Sequence, residues 1–395
     1  MINKIFSYIA ILFLLLFALF SFNFSETISQ QTALYICVPG AFVLTFFATK
    51  NYKPSTCFKF LMAVYVWECI TYLSAEDQSV ALDELKRLLA CFMLAFSFFY
   101  LGKKKELVPW LYLVYIVYYL GIVYYANTSI LNEEFDYTED RLGDRILNAN
   151  LIAYVTFFVT FVIYVFPNFS TREWLKRFFR ILFILSPAWS FVVGILTGSR
   201  QVLVIQFPFI ALLLYLRYFR HTRVFTQIVS LIVVVVFVAV VWDKVDSIYE
   251  QSNLNTRMEM ELEEDARIIH YQRAVKIGLD NPITGVGPGN YKLYAPNRIS
   301  FSHSSYSELF ANNGFPGLLL FLLMFYYFCK QQWRRYRKTH DELFLYFLVF
   351  GLFFTIDNAF YVMHTAPWLI SFFILVDSHS ATYYKISRYK LKPNE

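Results

Sequence analysis

The chain is short of charge. Only 16% of its 395 residues are Asp, Glu, Lys or Arg, while 58% are hydrophobic and 21% aromatic. Soluble domains carry about 25% charged and about 45–50% apolar residues, so this balance excludes an ordinary water-soluble fold. Five cysteines are present (Cys37, Cys57, Cys69, Cys91 and Cys329). None lies in a long polar loop, which argues against a disulfide framework and against a structural zinc site. There is no phosphate-binding loop of the ATPase kind and no internal repeat. The apolar runs are continuous rather than alternating, which excludes a transmembrane β-barrel. The net charge of +6 comes from short Lys/Arg clusters at the ends of apolar runs, a membrane pattern rather than a nucleic-acid surface. Ser21-Phe22-Asn23-Phe24 follows the first apolar run without a small-x-small cleavage site, so that run is expected to be a retained span.

Apolar runs of about 20 residues, the length that crosses a bilayer as a helix, recur throughout. Backbone groups in lipid must be satisfied within the segment, which favours helices. The expected fold is an all-α integral membrane protein with about twelve transmembrane helices. They are placed near 4–22, 32–49, 58–75, 87–102, 107–126, 149–166, 178–197, 201–218, 224–242, 313–330, 342–361 and 366–384. With both termini inside, the inner loops collect Lys103 to Lys105, Arg172 to Arg180, Arg217 to Arg223 and Arg334 to Lys338. The outer loops collect Glu76, Asp77, Asp83, Glu84 and the acidic run Glu133 to Asp144. The positive-inside rule therefore gives an N-in/C-in topology. The chain divides into a first helical block (1–242), a large outer loop between helices nine and ten (243–312), and a last block with an inner tail (313–395).

Between Asp280 and Gly317 the residues Gly, Pro, Asn, His and Ser crowd together as nowhere else. A helical pattern over 262–279 places Arg267, His270 and Arg273 three apart, either as an anion-facing row or as a solvated face. Asn281-Pro282 ends that helix. Gly285-Val286-Gly287-Pro288-Gly289-Asn290 then makes tight turns, which fold the loop back or bring backbone N–H groups to an anion. Ser305 and Glu308 have the form of a capping box. A short helix is thus expected from Tyr306 to Asn312, stopping at Asn313-Gly314 and resuming as a span at Pro316. That places His303 just outside a helix N-terminus, where the dipole disfavours imidazolium and leaves a candidate general base. His364 in the last outer turn is a rival. Arg200, in the outer turn Thr197-Gly198-Ser199-Arg200, runs against the positive-inside trend. It either snorkels to headgroups or binds an anion through its planar fork. Asp357, near the outer end of the eleventh span, is expected to have a cationic partner such as Arg200.

Taken together these residues resemble the O-antigen ligase and polymerase family of bacterial membrane proteins. His303-Ser304, nine residues, then Gly314-Phe315-Pro316-Gly317 matches the family's His-[Asn/Ser/Gln]-x9-Gly-x-x-Gly motif. Asn281-Pro282 through Gly289-Asn290 resembles its Asn-Pro…Gly-Gly-Pro-Gly-Asn block, preceded by Arg267, with Tyr271 where tryptophan is common. Arg200 sits in a turn like the family's Ser-Arg turn. Arg141-Leu142-Gly143 with Asn148-Ala149-Asn150 resembles a further segment, with Ala149 where proline is frequent. The resemblance implies transfer of a glycan from an undecaprenyl-diphosphate-linked donor to a lipid or glycan acceptor hydroxyl. The reaction would take place on the outer face of the cytoplasmic membrane. His303 would be the base, with Arg200 and Arg267 on the diphosphate. Arg273, Arg141, Asp357, Gly314 and Gly317 would line or shape the substrate site. No Asp-x-Asp pair or outer metal-ligand cluster stands in the sequence, so no metal and no other cofactor is expected. The partners expected are donor, acceptor and membrane lipids, with no nucleic acid. Ligase and polymerase readings differ only in the acceptor. A transporter of two similar halves would place its main connection midway and inside, which this chain does not.

Overall fold

The computed structural model describes residues 2–21, 27–131, 142, 149–169, 172–223, 227, 246–252, 254–255, 266–295 and 301–391. Every regular element among them is helical. We number the helices α1 (Ile2–Ser21), α2 (Ile28–Ala48), α3 (Thr56–Thr71), α4 (Gln78–Gly102), α5 (Val108–Leu131) and α6 (Ala149–Val165). They are followed by α7 (Glu173–Thr197), α8 (Val202–Phe219), α9 (Ala266–Asp280), α10 (Ser305–Thr339), α11 (Leu343–Asp357) and α12 (Pro367–Leu391). Nine of the helices in the described residues, α1–α8 and α10, are long and apolar enough to cross a membrane. The protein is a multi-pass helical membrane protein. The expected ninth span, 224–242, lies outside the described residues except for Gln227.

The chain forms two compact units, one of residues 1–118 and 262–395 and the other of residues 119–261. In the first unit α4 lies along α12, and α10 lies along α3 and α9. Lipid tails are as apolar as these side chains, so close packing and buried polar contacts, not water exclusion, join such helices. Gly102 of α4 lets Leu375 and Ser378 of α12 approach to 3.1 Å of where a Cβ would stand. Ser378 Oγ donates to the Phe99 carbonyl at 2.5 Å. Tyr112 Oη pairs with His379 Nδ1 at 2.8 Å, and Tyr115 Oη with Ser371 Oγ at 2.9 Å. In the second unit α6 and α7 pack together. Gln206 Nε2 donates to Ser190 Oγ at 2.7 Å, and Gly198 ends α7 in the left-handed region with φ 56°.

At 35 residues α10 is about 52 Å long, well beyond the roughly 30 Å of hydrocarbon it has to cross. It bends at Gly314 (φ 65°, ψ −170°), followed by Pro316. The expected stop and restart at Gly314 and Pro316 is therefore present. The cap is displaced by one residue from the expected box. Ser304, not Ser305, is the N-cap, and its Oγ accepts from Tyr306 N at 3.2 Å. The eleventh expected span is shorter than drawn: α11 has 15 residues and ends at Asp357, because 358–366 is turn and loop that packs against the start of α10.

Candidate active site

The bend in α10 organises one end of the first unit. A helix carbonyl normally bonds the N–H four residues on. The bend diverts the Phe315 N–H to Pro282 O at 2.8 Å, and residue 316 is a proline with no N–H. The carbonyls of Ala311 and Asn312 thus lose their helical partners, and buried backbone acceptors must find others. Val286 N supplies one bond (3.0 Å, to Ala311 O) and Gly287 N the other (2.9 Å, to Asn312 O). Asn313 O receives Trp67 Nε1 from α3 at 2.8 Å. The glycine-rich turn is built to deliver those donors. A Cβ at Gly285 (φ 63°) would stand 2.3 Å from the Asn312 carbonyl carbon, and one at Gly287 (φ 96°) 2.4 Å from Ala75 Cβ. Of the two open roles for this turn, folding the loop back is therefore what its backbone does. The same turn docks on the α3–α4 connection, where Glu76 N donates to Val286 O and Asp77 N to Asn290 Oδ1.

The N-terminus of α10 is fixed as tightly. Ser305 N donates to the carbonyls of Asn358 (2.9 Å) and Tyr361 (3.1 Å). Glu308 is buried, and it reaches back to accept Ser302 N at 2.6 Å while also accepting Asn312 Nδ2 at 3.3 Å. Ser302 Oγ donates to Ser304 O, and Ser307 Oγ to Ser302 Oγ, each at 2.9 Å. Between these two anchored serines lies His303, half-buried, with φ 61°. Positive φ is uncommon outside glycine and collects at functional sites. His303 stands just outside the helix N-terminus, as expected. Its ring lies 4.8 Å from that of Phe301 and 5.6 Å from that of His270 on α9.

Alpha-9 carries the cations. Arg267, His270 and Arg273 occupy successive turns, all half-buried. Burial, with Arg273 adding to it, lowers the pKa of His270 below the ordinary imidazole value. Arg273 Nη1 is buried with no hydrogen-bond acceptor among the described residues. Beside this group is a cavity of about 590 Å³ lined by Glu84 and Arg87 of α4, Lys292, Phe301, Glu308 and Tyr361. Arg87 pairs with Glu84 at 3.4 Å. Burial raises Tyr361 to about 12, the guanidinium of Arg87 opposing part of the rise.

The structure thus brings together His303, Arg267, Arg273 and Gly314 in one unit. Gly314 acts through backbone: a Cβ there would meet Ile283 O at 2.4 Å. Gly317 faces α3, where its Cβ position is 3.4 Å from Trp67. Asp357 is fully buried at the end of α11, in the same unit. Arg200 belongs to the second unit, just after the left-handed Gly198, and is half-buried there. Arg141 lies outside the described residues. The rival His364 is buried at 2% exposure, and burial followed by the charge of Arg87 lowers it to about 3. Such an imidazole is too weak a base at neutral pH. Sequence reasoning passed over Arg87 and Lys292, and took Glu308 only as part of a helix cap. Lys86-Arg87 is positive charge at the end of α4 opposite Lys103 to Lys105, and the criterion that singled out Arg200 applies to it equally.

The fold and site define a multi-pass helical membrane protein with a histidine and several cations gathered at one end of its bundle. Residues 185–322, from within α7 to beyond the bend in α10, match the family model described as O-antigen ligase. The match supports assigning the chain to the O-antigen ligase/polymerase family. It contains Arg200, Arg267, His303, Gly314 and Gly317. No curated protein matches the chain.

Proposed function

We propose that this protein is an O-antigen ligase-like glycosyltransferase of the bacterial cytoplasmic membrane, acting on the outer face. It moves a glycan from undecaprenyl diphosphate to an acceptor hydroxyl of lipid A core or a similar lipid or glycan. The observation that carries this reading is His303, held in a left-handed backbone between Ser302 and Ser304 beside the cations of α9. In the proposed reaction His303 takes the acceptor proton and the acceptor oxygen attacks the anomeric carbon. Undecaprenyl diphosphate departs with the bonding electrons, and a single displacement inverts the anomeric centre. Arg267 and Arg200 stabilise the charge that develops on the diphosphate, with Arg273, two turns from Arg267 on α9, a further donor whose Nη1 has no acceptor among the described residues. Removing one such donor typically costs about 10²–10³ in rate, or about 3–4 kcal/mol. Fixed guanidinium groups serve where other transferases use a divalent ion, so transfer is expected to survive EDTA. Loss of activity on chelation with recovery on adding Mg²⁺ would reject that part.

A deletion strain analysed on a glycan gel tests the function. Bare core with long chains left on the lipid carrier supports the ligase. Core capped with single repeats supports a repeat-unit polymerase, which uses the same chemistry with a lipid-linked acceptor. Unchanged glycans reject both.

A further inference from the structure

His270 has a more defined environment than a solvated helix face requires. Its Nδ1 lies 3.0 Å from the hydroxyl of Tyr291. The same hydroxyl donates to the backbone carbonyl of His270 at 3.1 Å. A phenol has one proton to donate. With that proton on the carbonyl, the oxygen can only accept at Nδ1, so the ring proton of neutral His270 sits on Nδ1 and the lone pair on Nε2. Tyr291 is itself fully buried, and its N–H is held by Asn312 Oδ1 at 2.8 Å, so the lock is anchored to α10. The ring of His270 meets that of His303 edge to face, 65° apart in plane, with centroids 5.6 Å apart. One hydrogen bond or one bridging water spans that gap.

We propose that His270 is a positioning and proton-relay partner of His303, accepting at Nε2 the proton that His303 removes from the acceptor. This rests on His303 being the base of the proposed transfer. The acceptor O–H bond breaks with its proton going to His303. The new glycosidic C–O bond forms as the bond to diphosphate breaks with its electron pair. The proton then passes from His303 to Nε2 of His270 and on to water. The groups facing the pair set its charge balance. Arg273 lies on α9, Tyr291 on the 290–294 turn, and Glu308 on α10 acts on Tyr291. Partial burial, with the charge of Arg273, lowers the pKa of His270, so it rests neutral with Nε2 open to a proton. Protonated His270 is disfavoured by the same burial and by the neighbouring Arg273, so the proton is released to water rather than stored.

Two measurements test this. The chain has six histidines, few enough for selective ¹⁵N-histidine NMR of the full-length protein in lipid nanodiscs, with His270→Gln assigning the resonance. A Nδ1–H tautomer at His270 that Tyr291→Phe abolishes is expected; the Nε2–H tautomer in the unmodified protein overturns the proposal. In native membranes His270→Phe keeps a ring against His303 and Tyr291 but cannot carry a proton. It is expected to lower transfer at least tenfold at normal abundance, with the acidic limb of the rate–pH profile displaced. A wild-type rate and profile overturn the relay. If instead His303→Asn transfers at the wild-type rate while the tautomer is as expected, the base assignment fails and the relay with it, and only the lock on His270 stands.

Discussion

Substituting Gly314 by alanine tests whether the bend in α10 is built as described. The residue sits at φ 65°, ψ −170°, a region open essentially to glycine alone and costing about 1–3 kcal/mol for other residues. The new Cβ would also stand 2.4 Å from Ile283 O, 2.5 Å from Ile283 C and 2.7 Å from Pro282 O. All three are backbone atoms and cannot rotate away. Relief requires the 282–287 turn to withdraw from α10, which strains or breaks the bonds of Phe315, Val286 and Gly287 N–H. At about 0.5–1.5 kcal/mol each, with the backbone strain, the loss is about 3–7 kcal/mol. Thermal unfolding of purified protein in detergent, followed by the loss of its monodisperse chromatographic peak, measures this. Gly194→Ala is the control, because its Cβ meets Val202 only at 3.4 Å, ordinary contact. Gly314→Ala is expected to melt many degrees lower and to be inactive, while Gly194→Ala melts at or slightly above wild type. Equal melting temperatures for wild type and Gly314→Ala would refute the account of the bend.

Three further outcomes follow from the same geometry. Glu308→Ala leaves the Ser302 N–H buried without its acceptor, a loss of about 1–3 kcal/mol; Glu308→Gln keeps an acceptor, so transfer should fall much less in Gln than in Ala. His364 is neutral in the fold, its value lowered from 6.5 to about 3. The unfolded chain binds a proton that the folded chain refuses, so stability is full above pH 6.5 and declines as pH falls toward 3. Between pH 6.5 and 5 the loss is about 2 kcal/mol, and melting of His364→Gln across that range should be flatter than wild type. Arg87→Ala, in a half-exposed residue at the cavity, should reduce transfer about tenfold or more with abundance unchanged in a membrane immunoblot; an unchanged rate removes Arg87 from the site.

Local chemistry made the bend legible. Gly314 and Pro316 announce a break on their own, and Asn281-Pro282 announces the end of α9. The partners of the freed carbonyls were not legible, because Val286, Gly287 and Trp67 lie far from Ala311 to Asn313 in sequence and meet them only in the folded unit. The cap shifted from Ser305 to Ser304 for a similar reason. Glu308 accepts the Ser302 N–H, and the loop at 358–361 binds Ser305 N, which fixes the helix start. Arg87 was hidden by counting it as the first residue of an apolar span. Its placement beside Lys292 and Glu308 comes from a loop more than 200 residues away. The doubled histidine was half visible: three-residue spacing put His270 with Arg267 and Arg273, but nothing local brings it to His303 or Tyr291.

The central claim is that His303 is the base and that its backbone serves to present it. His303→Asn separates the two, because asparagine tolerates the left-handed region and cannot accept the acceptor proton as a base at neutral pH. Transfer from extracted lipid-linked glycan should be measured in membranes carrying equal amounts of wild type and variant. The account predicts normal abundance and melting with transfer reduced at least a hundredfold, within the about 10²–10⁴ that general base catalysis supplies. Transfer at the wild-type rate by His303→Asn would contradict it.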